Sequence, residues 1–150
     1  MRLFAAAIAV LAFGGAAHLW PTASLFEANA AGAPPPQVTP VTRTDMTITG
    51  QRIVVPKKPD VIVATAVFPP GAGLPVHKHP YPHYVYVLEG TLTLVNVETK
   101  RTYEIVAGSF VAEPLNTWHY GVNNETVPLK VLVIDQVPHG VAKNLIPKTP

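Results

Sequence analysis

The stretch "GAGLPVHKHPYPHYVYVLEG", residues 71–90, places three of the chain's six histidines at positions 77, 79 and 83, just ahead of an apolar, aromatic run. In an extended chain, residues two apart point to the same side, so His77 and His79 can reach one ion together. Pro80 and Pro82 interrupt regular pairing, which lets the chain bend and bring His83 round. His83 then starts a strand in which Val85 and Val87 share its face, and that apolar face is predicted to be interior. A lone histidine would most simply be a surface or satisfied core residue. Three at one strand entrance would bury unsatisfied nitrogens unless they share a partner, and a metal ion is such a partner.

Outward from this stretch the pattern is strands and turns. "MTITG" and "QRIVV" are short strand candidates, and "VIVATAVF" at 61–68 is a longer one, ended by "PPGAG". "TLTLVNVE" alternates in the period of two expected of a half-buried strand. "KRTYEIVAG", "SFVAEP", "NTWHYGVNN" and "PLKVLVIDQV" continue the series, and no stretch after Val41 shows helical periodicity. The segment after residue 138 is weakly patterned; "GVAKNL" predicts at most a helical turn. Many short strands with Gly and Pro turns imply an all-β sandwich or roll, and periodicity does not choose between them.

Composition narrows the function classes. The chain has 150 residues, 17 prolines, 13% charged residues and a net charge of +2. One domain is the natural expectation at this length. The basic residues form no run longer than Lys57-Lys58 or Lys100-Arg101, so neither a nucleic-acid footprint nor a membrane-surface patch is expected. With no cysteine there is no disulfide framework, thiolate zinc site or cysteine nucleophile.

The N-terminus reads as a targeting segment. Arg2 precedes an apolar, alanine-rich core over residues 3–17, and Ala28-Asn29-Ala30 has the small-x-small form of a cleavage site. The core is short for a spanning helix of about 20 residues. Residues 1–30 are therefore expected to be a signal peptide, with a retained membrane anchor as the alternative, and the mature protein to be periplasmic or secreted. Residues 31–43, "AGAPPPQVTPVTR", follow as a Pro-rich linker. The folded domain is expected over 44–138 and a C-terminal tail over 139–150.

Two longer spacings carry a family resemblance. Residues 71–90 read G-x5-H-x-H-x3-H-x6-G, and "GSFVAEPLNTWHYGVN", residues 108–123, reads G-x5-P-x-N-x2-H-x3-N. The pair resembles the two motifs of the cupin family, G-x5-H-x-H-x3,4-E-x6-G and G-x5-P-x-G-x2-H-x3-N. The resemblance implies a single-domain jelly roll, or double-stranded β-helix barrel, with a metal inside it. Carried over by position, it implies metal ligation by His77, His79 and His119, with His83 in the place of the usual glutamate. Tyr84 is the other candidate for that place, but counting back from Gly90 favours His83. Asn116 stands where the family has glycine, and asparagine tolerates the left-handed backbone such a turn needs. Asn123 is expected to serve a turn. The resemblance also implies pairing of two copies through an edge strand, as a homodimer.

Replacing the carboxylate by His83 changes the expected chemistry. Four neutral imidazoles leave a divalent ion its full charge, favouring anionic ligands and stronger Lewis acidity. They also remove a carboxylate that could act as a general base. Iron, manganese, copper, nickel and zinc all accept imidazole donors. The site is thus expected to be that of a metal-dependent dioxygenase-type oxidoreductase acting on a small chelating substrate: an enol, a diketone or a catechol-like compound. Phe68, Val85, Val87 and Phe110 are expected to line its apolar pocket, and Tyr81, Trp118 and Tyr120 to lie at the mouth or surface. Glu113 reads first as a solvated loop carboxylate, with a nearby acid or base as the alternative, and His139 as a surface histidine. No catalytic residue is identified. Two other readings stay open: a non-catalytic module that binds a metal or small ligand, and a metal-dependent isomerase.

Overall fold

The computed structural model describes residues 34–149. The expected signal segment lies outside them. The chain divides after Val38, and residues 34–38, the described part of the first unit, are exposed and without regular structure. All elements of the second unit are strands: β1 Pro59–Phe68, β2 His77–Lys78, β3 His83–Glu89, β4 Thr91–Asn96, β5 Thr102–Val106, β6 Phe110–Ala112, β7 His119–Val122, β8 Leu129–Pro138 and β9 Ile146–Pro147. They form two antiparallel sheets, ordered β1-β8-β3-β6 and β5-β4-β7-β2-β9. This is the single-domain jelly roll that the resemblance to cupins implies.

Strand alternation fills the interior. Val85 and Val87 on β3, Leu129 and Val131 on β8, Leu92 and Leu94 on β4 and Ile105 on β5 form the buried core. Burying such side chains contributes roughly 1.5–3 kcal/mol each. Along each inward-facing row the chemistry then changes. On β8 the row Leu129, Val131, Val133 ends at Asp135, and on β3 the row Val87, Val85 ends at His83, with His83 and Asp135 paired in register. On β4 the row Leu92, Leu94 ends at Asn96, which pairs with His119. The polar cluster therefore sits at one end of the apolar core.

The motif glycines turn the chain. Gly71, Gly90 and Gly108 have φ of 75°, 78° and 84°, and Asn116 takes the left-handed φ of 49° expected of it. At Gly90 a Cβ would also lie 2.9 Å from the Pro128 carbonyl oxygen. Asn123, fully buried, spans a turn by donating to the carbonyls of Phe68 and Val127 and accepting from the Glu125 amide.

Two expectations about regular structure are corrected. "MTITG" and "QRIVV" make only an isolated bridge, Met46 to Arg52. Gln51 instead clips this segment to the second motif, donating to Leu115 O and accepting from Leu115 N. The "GVAKNL" stretch forms no helical turn. Residues 141–145 have no regular structure and lead into β9, which pairs with β2 at His77 and Lys78.

Candidate metal centre

His77 and His119 face each other in register between β2 and β7. His79 follows in a parallel bridge to Leu115, and Asn116 N bonds to its carbonyl. The four imidazoles predicted from the motifs come together, but not as equals. The rings of His77, His79 and His119 have centroids 4.6 to 5.2 Å apart. His83 instead stacks flat on His79, at 3.9 Å and 3°.

The carboxylate missing from the first motif enters from elsewhere. Glu113, just beyond β6, is only 6% exposed. Val85 and Val111 pair across β3 and β6 on the interior side, and Glu113 follows Val111 in the same phase, its amide bonded to His83 O. Its Oε2 lies 3.0 Å from His119 Nε2, 3.3 Å from His79 Nε2 and 3.8 Å from His83 Nε2. The expectation of a solvated loop carboxylate is therefore corrected. One ligand atom from each of His77, His79, Glu113 and His119 lies within 4.8 Å of every other. His83 belongs to a second such group, with His79 and Asp135.

The outer nitrogens of the rings are already committed. His77 Nδ1 donates to Pro75 O at 2.7 Å, His79 Nδ1 to Asn144 O at 2.6 Å, and His119 Nδ1 to Thr117 O at 2.8 Å. In the neutral ring this leaves the Nε2 lone pair directed inward, the arrangement that holds metal-ligating histidines. His79 Nε2 is buried without a hydrogen-bond partner. At His119, Nε2 faces a carboxylate oxygen, so two acceptors confront each other unless a proton or a cation lies between them. Three imidazole nitrogens and one carboxylate oxygen fit a divalent transition metal. Burial holds His77 down to about 4, so its ring is neutral near pH 7.

His83 has a different partner. Its Nδ1 donates to Asp135 Oδ1 at 2.7 Å. Burial opposes its charge, but the facing carboxylates of Glu113 and Asp135 prevail and raise its pKa. Burial likewise disfavours the Glu113 anion, yet the imidazoles of His83, His119 and His79 hold its pKa well below the ordinary value. A cavity of about 440 Å³ opens beside His79, His83 and Asp135, walled by Ile62, Lys143 and Leu145.

The other predicted residues fall as follows. Val85 and Val87 are core residues, and Phe68 packs against them. Phe110 does not line the interior. In a three-residue strand the phase is set by the partner, and Phe110 pairs with Tyr86, stacks on Tyr84 and borders a groove on the outer face. Tyr84 points outward as well, its hydroxyl donating to Gln136, which leaves the inward position to His83. Trp118 lies beneath the ammonium groups of Lys78 and Lys148. His139 pairs with Asp60 at the surface.

Sequence reasoning missed Asp135 and Asn144, and gave Glu113 no place among the ligands. The signal for Asp135 was a carboxylate in the inward phase of an apolar strand. For Glu113 it was a carboxylate in phase with Val111, six residues before His119. For Asn144 there was none.

The Cupin domain family matches residues 64–135. No curated protein matches the chain. A sugar phosphate isomerase of the cupin superfamily from Silicibacter pomeroyi is 28% identical, with 51% of this chain and 50% of that chain covered and a TM-score of 0.46. The polyketide cyclase RemF from Streptomyces resistomycificus is 21% identical over 62% of this chain and 72% of that one, with a TM-score of 0.48. An oxalate oxidase bound to glycolate is 22% identical over 50% and 41%, with a TM-score of 0.43. The chain thus spans about half the length of the first structure. With the matched span, the two-motif spacing and the jelly roll all in agreement, residues 64–135 of this chain are a Cupin domain.

Proposed function

We propose that this cupin holds one divalent transition metal on His77, His79, His119 and Glu113, and acts as a dioxygenase-type oxidoreductase on a small chelating enol, diketone or catechol. The observation that carries the reading is the convergence of one ligand atom from each of His77, His79, His119 and Glu113, with each of the three Nδ1 atoms committed to a carbonyl. Glu113 restores one negative charge to the donor set, which offsets the extra electrophilicity expected of an all-histidine cage. Among redox-active ions, mixed imidazole and carboxylate donors suit iron or manganese. Such an ion would supply Lewis acidity and activation of dioxygen when bound.

The chain's own residues would do the rest. The apolar core behind the cluster excludes water from one side, and the cavity admits the substrate from the other. His83, held by Asp135 at the cavity wall, is placed to hold or accept a substrate proton. The same pair favours a second reading, a metal-dependent isomerase, since that chemistry needs a base and this site has one.

Oxygen uptake by iron- or manganese-loaded protein, tested against β-diketones, catechols and enols, decides between these readings. Uptake that depends on substrate and is lost in Glu113→Gln supports the dioxygenase. Turnover without uptake supports the isomerase, and metal binding without turnover a binding module. We infer export from Arg2, the apolar residues 3–17 and Ala28-Asn29-Ala30. A mature N-terminus found by sequencing the periplasmic or secreted protein tests it, and an intact Met1 in the membrane fraction would overturn it.

A further inference from the structure

The C-terminal segment carries a buried amide that the proposed chemistry does not use. Asn144 is 4% exposed in a stretch without regular structure, while its neighbours Lys143 and Leu145 are exposed. Its side-chain groups and its main-chain carbonyl are engaged. Oδ1 accepts from Tyr81 N at 3.0 Å. Nδ2 donates to Asp135 Oδ1 at 2.6 Å, Tyr81 O at 3.1 Å and Pro82 O at 3.3 Å. Its main-chain oxygen accepts the Nδ1 proton of His79 at 2.6 Å. One tail residue therefore touches a candidate metal ligand and also the carboxylate that orients His83. Beyond it, β9 pairs with Lys78 and His77, and Lys148 N donates to Val76 O at 2.8 Å.

We propose that Asn144 is a positioning residue of the metal centre, and that residues 141–148 form a clasp whose docking is coupled to metal binding. This rests on the metal reading of the histidine cluster. With the clasp docked, the Asn144 carbonyl fixes the His79 tautomer that presents Nε2 to the ion. With the clasp released, Nδ1 turns to water and neither the tautomer nor the ring angle is held. Losing such a partner lowers metal affinity by about 10–100-fold. Linkage is reciprocal, so metal must strengthen clasp docking by the factor by which docking strengthens metal binding.

The test uses the full chain stripped by chelator. Co(II) titration followed by visible absorption, with Zn(II) in competition, gives affinities for the wild type and Asn144→Ala. Hydrogen exchange at residues 144–148, with and without Zn(II), reads the clasp directly. Asn144→Ala keeps the main-chain carbonyl but removes the side-chain bonds that hold it against His79; the expected result is an affinity about 10–100-fold weaker as the clasp releases, with exchange at 144–148 slowed by Zn(II) in the wild type. A merely structural role would leave that exchange indifferent to Zn(II). If Asn144→Ala does not fold, exchange in the wild type decides alone. Equal affinities, or exchange unmoved by bound Zn(II), overturn the clasp and leave the metal reading standing. A wild type that binds neither ion overturns both.

Discussion

Glu113 Oε2 stands 3.0 Å from His119 Nε2, while the Nδ1 of that ring donates to Thr117. The contact needs a positive charge, either a second proton on the ring or an ion between the two atoms. Glu113→Gln keeps the shape and removes the anion. It is expected to weaken Co(II) or Zn(II) binding at least tenfold, read by chelator competition, consistent with the ~1.4 kcal/mol or more that a charge-assisted contact contributes. Unchanged affinity would remove Glu113 from the ligand set.

His83 and His79 are predicted to differ. His79 presents an unpartnered Nε2 to the cluster, whereas His83 lies in the neighbouring group with Asp135. His79→Ala should abolish stoichiometric metal, measured by elemental analysis. His83→Ala should retain it and lose activity. The opposite ranking would return His83 to the coordination sphere.

The metal-free protein should be most stable near pH 6.5. His77 falls from 6.5 in the unfolded chain to about 4 in the folded one, so the unfolded state binds more protons between those values and stability rises with pH across that window. The lowered Glu113 acts in the same direction, its contribution being lost as pH falls. His83 has the opposite sign. Its raised value contributes stability below 6.5 that is lost as pH rises through the folded pKa. Melting temperatures of chelated protein from about pH 4 to pH 9 should pass through a maximum, and a monotonic profile would contradict these assignments.

The turns give a contrast in stability. Gly90→Ala adds a Cβ at a φ of 78° and 2.9 Å from a carbonyl oxygen. It should cost roughly 1–3 kcal/mol in denaturant unfolding. Asn116→Gly, at a φ of 49°, should change stability by less than about 1 kcal/mol.

The contrast between what the sequence discloses and what it conceals follows from range. His77 and His79, two residues apart on one face, and the positive-φ glycines carry a local spacing that reveals them, although His77 meets His119 and His79 meets Asn144 only in the fold. Strands such as "VIVATAVF" declare themselves through composition and alternation. Phe110 was misplaced because three residues are too few to show which face is interior; pairing with Tyr86 decides it. Glu113 looks like any loop carboxylate until β6 docks on β3. Asn144 acquires its role only when the tail crosses back to His79, 65 residues away.

The central claim is a centre of three imidazoles and one carboxylate. X-ray absorption at the metal edge of Zn-loaded protein tests it most directly, because imidazole scattering can be counted. The account predicts three imidazole ligands with an oxygen donor, the oxygen signal altered in Glu113→Gln and the imidazole count unchanged in His83→Ala. Four imidazoles in the wild type, falling to three in His83→Ala, would contradict it.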